Sequence, residues 1–240
     1  MKLWLSLAFF GLLGMLRVCC AQVSPKYLEL HRMDAVVLEP AAIIALLDEH
    51  RVSYNQIEQL NWPNFPYSPV VQFRMAYNRE GMLLHFRVHE KTVRALTEYD
   101  NGRVYEDSCL EFFVMPDSAS TLYYNFEFNA AGRLLAQGGT LHDRRLAAPA
   151  VLASVLRWSS LGDRPFPEKT MSTSWDLTAF IPLNALFLHD ITDLQGRQFR
   201  ANFYKCGDKL QQPHYLSWSA INTPKPYFHA PKFFGHLRFL

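Results

Sequence analysis

Two runs of apolar alternation joined by a four-residue turn constrain this chain more than any other feature. Val71, Phe73, Met75 and Tyr77 alternate with Gln72, Arg74 and Ala76; Met82, Leu84, Phe86 and Val88 alternate with Leu83, His85 and Arg87. A period of two sends successive side chains to opposite faces of an extended strand, and Asn78-Arg79-Glu80-Gly81 supplies a hairpin turn. Further strands are predicted over 108–115, 122–129, 133–137, 151–158, 173–181, 198–206, 214–218 and 235–240, with a second tight turn at Ala130-Ala131-Gly132. Each resulting sheet must bury an apolar face against another layer. The expected fold is therefore all-β: a single two-sheet antiparallel β-sandwich, jelly-roll or immunoglobulin-like, with one short N-terminal helix. That helix is predicted over 41–50, where Pro40 precedes Ile43, Ile44, Leu46 and Leu47. An aromatic content of 14%, with 18 Phe, suits half-buried pleated surfaces.

The chain divides into a leader over 1–21, a strand, helix and lid segment over 22–67, and the sandwich over 68–240. Lys2 gives the leader a positive start, Leu3 to Leu16 an apolar stretch, and Cys19-Cys20-Ala21 a small-residue exit. The apolar stretch is shorter than the roughly 20 residues of a membrane span, so cleavage after Ala21 is expected, leaving Gln22 first. Cys19 and Cys20 open a lipoprotein alternative, against which Arg17-Val18 speak. The expected location is periplasmic, cell-surface or extracellular. Loss of Lys2 and Arg17 takes Lys+Arg from 24 to 22, against 22 Asp+Glu, so the mature chain is formally neutral. Neutrality argues against an electrostatic grip on nucleic acid or acidic lipid. Cys109 and Cys206 remain, and either a disulfide or two small buried hydrophobes fits them.

The polar phases of three strands carry candidate chemistry. Tyr123, Asn125, Glu127 and Asn129 share one side of 122–129; Arg200, Asn202 and Tyr204 share one side of 198–206; Glu111 stands opposite Leu110 and Phe112. If these strands share a sheet, Glu111, Glu127, Asn129, Arg200 and Asn202 form one polar surface with aromatic residues near it. Such a surface ordinarily stands in water. It also suits sugars, whose hydroxyls both donate and accept and whose apolar ring faces pack on aromatic rings.

The chain also resembles the family 9-like carbohydrate-binding modules, whose sandwich is related to the DOMON domains. The resemblance runs from about 68 to 240. It rests on Val88-His89-Glu90 with Val93-Arg94-Ala95, residues 105–113, 125–129 and 202–208, Leu216-Ser217-Trp218, and residues 228–239, taken in order. It implies a non-catalytic module that binds an oligo- or polysaccharide. Glu111 matches the family's hydroxyl-binding glutamate; Tyr105 and Phe228 fall where or near where two tryptophans clamp the sugar. Glu127 stands where the family has an arginine. The carbohydrate-binding set so implied is Tyr105, Glu111, Glu127, Asn129, Arg200, Asn202 and Phe228.

Two other functions compete. A glycoside hydrolase would use Glu111 with Glu127 on neighbouring strands, since Asp107 and Glu111 lie about 13 Å apart along one strand. An accessory protein-interaction module would present an exposed aromatic patch instead. G-x-S-x-G, H-E-x-x-H, P-loop and dinucleotide motifs are absent from the sequence. Met75, Met82 and His85 are weak haem ligands, because both methionines fall on apolar strand phases. His229 and His236 lack a supporting carboxylate or cysteine at metal-site spacing, so no metal site is assigned. Calcium remains open through Asp100-Asn101-Gly102, which is a turn signal first. Trp175 and Trp218 read as core, and Trp62 as a lid residue.

Overall fold

The computed structural model describes residues 25–37 and 39–240; the leader over 1–21 lies outside them. Alternation builds two sheets. The larger runs β1 (Tyr27–Leu30), β14 (Gly235–Phe239), β12 (Gln198–Cys206), β6 (Cys109–Met115), β7 (Tyr123–Asn129), β8 (Leu134–Gly139) and β9 (Arg144–Leu146); β13 (Tyr215–Ser217) pairs with β12 and with β3 (Gln59–Leu60). The smaller runs β10 (Leu156–Ser159), β11 (Phe166–Pro182), β5 (Gly81–Ala95), β4 (Val70–Tyr77) and β2 (Asn55–Gln56). The expected sandwich is thus present, with one departure from antiparallel pairing: β1 lies parallel to β14. The segment before residue 68 is woven into the sandwich, because β1 and β3 extend the larger sheet and β2 the smaller.

The apolar phases meet between the sheets. Phe73 stacks on Phe203 with ring centroids 3.7 Å apart, Phe112 stacks on Phe203 at 4.9 Å, and Trp218 meets both Phe73 and Phe203 edge-on. Trp175 and Trp218 are buried, as their phase predicts. One ionic group crosses this core: Lys205 Nζ lies 2.9 Å from Glu90 Oε2 and 2.8 Å from His214 Nε2, while the Trp175 indole N–H donates to Glu90 Oε1 at 2.9 Å.

Several boundaries differ from the prediction: β5 runs on to Ala95 and β11 begins at Phe166, and two helical segments depart further. Residues 151–154 are not strand: a helix, α2 (Pro149–Ser154), precedes β10. Proline at the first helical position favours the turn, and period alone cannot distinguish a short apolar run in a strand from one in a helix. The N-terminal helix is split into a 3₁₀ turn, Pro40–Ala42, and α1 (Ile43–Glu49), which buries Ile43 and Leu47. No helix among the described residues is long and apolar enough to cross a membrane.

Candidate functional site

At its centre the outer face of the larger sheet does not stand in water. Every residue of β6 and β7 is buried, on both faces. Loops from distant parts of the chain cover the polar phase. Trp62 donates its indole N–H to the Thr223 carbonyl at 2.8 Å, and its ring lies 6.0 Å from Phe228 and 6.2 Å from Tyr215. Phe113, Tyr123, Tyr204 and Phe234 join this second aromatic layer, as Trp62's lid position predicts.

Where the aromatic layer stops, a cleft of about 500 Å³ opens onto the sheet. Its floor holds Glu111, Glu127, Gln137 and Cys206; Tyr105, Asp208, Tyr215, Tyr227, Phe228 and His229 stand around it. Glu111 and Glu127 are directly opposite in the β6–β7 register, so ladder geometry puts their Cβ atoms about 4.5–5.5 Å apart. Neither carboxylate has an ion-pair partner among the described residues. Glu127 accepts from Asn125 Nδ2 at 2.8 Å, and Glu111 Oε1 accepts from the Cys206 thiol at 3.1 Å. Burial raises Glu127 to about 7, against the Asn125 hydrogen bond and the Arg144 charge, which lower it. Burial, with Cys206 and Glu127 alongside, lifts Glu111 well above the carboxylate range. Burial also raises Asp208 to about 6. This floor therefore offers both O–H donors and oxygen acceptors near neutral pH.

The structure brings together Tyr105, Glu111, Glu127 and Phe228, and separates the other three expected residues. Asn129 is buried in local structure: its amide donates to Asp107 Oδ2 at 3.0 Å, and its carbonyl accepts from the Ala131 and Arg133 amides. Asn202 is likewise committed, donating to the Ser219 carbonyl and accepting from the Ser219 and Phe203 amides. Arg200 faces another depression, donating to the Lys232 and Phe234 carbonyls. Shared phase placed these residues on one face but not on one spot, since four residues of strand span about 13 Å. The Phe228 ring is also partly engaged, stacked on Tyr204 at 4.1 Å and 8°.

Other residues complete the site. Tyr227, 44% exposed, is an open ring at the rim, with its centroid 6.1 Å from that of His229. Arg144 supplies positive charge beside Glu127: its guanidinium lies 4.1 Å over the Tyr123 ring and donates to the Asn125 side-chain oxygen Oδ1. A tight hairpin delivers it there. Gly139 adopts φ 147°, and a Cβ would come 2.0 Å from the Asp143 carbonyl oxygen, so only glycine fits. The sequence signal that could have pointed to this hairpin is Gly138-Gly139 ahead of Asp143. His229 Nδ1 shares a hydrogen bond with the Tyr123 hydroxyl at 2.9 Å; burial and Arg144 lower its pKa to about 4, so it is neutral near pH 7. Cys109 and Cys206 are free thiols facing each other across β6 and β12.

The sequence profile of carbohydrate-binding family 9 matches residues 41–239. Among solved structures, the chain is 46% identical to a Bacteroides uniformis protein ascribed a carbohydrate-binding role, with a TM-score of 0.88 over 90% of this chain and 100% of that one. Two structures of a family 9 carbohydrate-binding module from Caldicellulosiruptor kristjanssonii share the fold. The cellotriose complex is 11% identical at TM-score 0.60, covering 89% of this chain and 93% of that one. The glucose complex is 10% identical at TM-score 0.58, covering 90% and 96%. No curated protein matches the sequence.

Proposed function

The chain belongs to carbohydrate-binding family 9, and from that premise we propose that it binds a saccharide non-covalently in the cleft over Glu111 and Glu127. The observation that carries this reading is the pair of buried carboxyl groups, without ion pairs among the described residues, at the floor of an open, aromatic-edged cleft. Sugar hydroxyls satisfy such groups as donors and acceptors at once, and charge-assisted hydrogen bonds are worth about 1.5–3 kcal/mol each. Tyr105, Tyr227 and the free edge of Phe228 offer apolar area to a ring face. The leader read over 1–21 supports action outside the cytoplasm by the chain from Gln22 onward, on glycans of that compartment.

Calorimetric titration of residues 22–240 with mono- and oligosaccharides tests this reading, starting with glucose and cellotriose. Saturable binding with no sugar released is expected. Glu111→Ala should abolish it while leaving the melting temperature nearly unchanged. Binding unaltered in Glu111→Ala would overturn the cleft as the site.

The direct opposition of Glu111 and Glu127 also fits a hydrolase, because retaining enzymes need carboxyl groups about 5–5.5 Å apart. Glu127→Gln separates the readings. Loss of turnover with binding retained would establish catalysis; weaker binding without turnover in either protein supports the module.

A further inference from the structure

Cys206 and Glu111, at the cleft floor, converge with Cys109, buried beneath it, from two neighbouring strands. Cys109 lies directly opposite Cys206 in the β6–β12 register, and Glu111 follows two residues later on the same face of β6. One donor atom from each, two Sγ and a carboxylate oxygen, lie within 4.8 Å of one another, and all three residues are buried. The Cys206 Sγ to Glu111 Oε1 distance is 3.1 Å. Around tetrahedral Zn²⁺, with Zn–S about 2.3 Å and Zn–O about 2.0–2.2 Å, neighbouring donor atoms sit roughly 3.3–3.8 Å apart. These three atoms therefore need only small side-chain adjustments to share one ion.

The surroundings favour a cation. Glu111 has no ion-pair partner among the described residues, and Glu127 stands opposite it. Lys205, next in sequence to Cys206, points to the other side of the sheet and is held by Glu90. Cys206 and Glu111 border the cleft, so a fourth coordination position would face its opening. Thiolates select thiophilic ions, whereas Ca²⁺ and Mg²⁺ take oxygen donors.

We propose that Cys109, Cys206 and Glu111 form a binding site for a thiophilic divalent cation, best matched by Zn²⁺, with its fourth position open to water or a ligand oxygen in the cleft. Binding releases the two thiol protons to solvent and leaves two thiolates and a carboxylate on the ion. The site shares Glu111 and the Cys206 part of the cleft floor with the saccharide reading, but its test contains no sugar, so failure of one does not decide the other.

The test is titration of reduced residues 22–240, which lack the leader's Cys19 and Cys20, with Co²⁺, a coloured substitute for Zn²⁺. One equivalent is expected to bind with a thiolate-to-cobalt charge-transfer band that Zn²⁺ displaces. Cys206→Ser and Cys109→Ser should lose the band, and Glu111→Gln should weaken binding at least tenfold. Thermal melting of the unaltered chain provides a check independent of variant folding: Zn²⁺ should raise the melting temperature, and Ca²⁺ and Mg²⁺ should not. Absence of the charge-transfer band, or its survival in Cys206→Ser, would overturn the proposal. So would a Cys109–Cys206 disulfide in protein isolated without reductant, because both donors would then be consumed.

Discussion

Glu90 and the pair Glu111–Glu127 are equally buried but oppositely treated. Glu90, between the sheets, has Lys205 at 2.9 Å on one oxygen and the Trp175 N–H at 2.9 Å on the other. Glu111 and Glu127, on the outer face of the larger sheet, confront each other with no ion pair among the described residues. In the core a buried charge is cancelled where it stands, so the cluster can only pin one sheet to the other. At the cleft, two groups of like sign share a poorly solvated floor, which costs stability unless protons, or something bound from outside, neutralise them.

The largest expected effect breaks the core half of this comparison. Lys205→Met leaves Glu90 buried without its partner and should cost about 3–5 kcal/mol, read as a lower urea midpoint. Adding Glu90→Leu to that variant should restore most of the loss, since a matched apolar replacement of a buried pair is often neutral. Glu111→Gln should do the reverse at the cleft: no loss of stability, but saccharide affinity reduced about 10–100-fold, corresponding to about 1.5–3 kcal/mol. A large stability loss in Glu111→Gln would show that the two clusters are built alike.

A smaller effect concerns pH. His229 at the cleft wall has its folded pKa lowered to about 4 by burial and Arg144, whereas unfolded histidine titrates near 6.5. The unfolded chain therefore binds the extra proton first, and stability falls as pH drops from about 6.5 towards about 4. His229→Gln should remove that part of the acid sensitivity; identical urea midpoints for variant and parent relative to neutral pH would refute the assignment. The smallest effect belongs to the rim. Tyr227→Ala removes a ring exposed to solvent and should weaken saccharide binding by about 0.5–1.5 kcal/mol with stability unchanged.

Much of this was legible in the residues. Alternation from Val71 to Val88 gave the central hairpin of the smaller sheet, and β12 has its predicted bounds. Phase correctly separated Phe112, Phe126 and Phe203, which pack between the sheets, from Glu111 and Glu127 on the other face. It could not rank residues within that face. Asn129, Asn202 and Arg200 share it, yet turn contacts, loop contacts or distance along the strand take them out of the cleft. Arg144 escaped notice because β9 is three residues long, too short to show a period. The Cys109–Glu111–Cys206 cluster was invisible for a related reason: its cysteines are far apart in sequence, and metal-site patterns are recognised by close spacing.

The sequence by itself determined which residues alternate, hence an all-β sandwich, its apolar core and the face that holds the polar groups. These are local properties, fixed by the two-residue period of an extended chain. Trp62 was readable as a lid, but only the tertiary structure decided which face it would cover together with the segment around Phe228, and that β6, β7 and β12 would lie side by side. Register between strands far apart in the chain depends on packing that no local pattern encodes, and it is register that set Glu111 opposite Glu127 and Cys109 opposite Cys206.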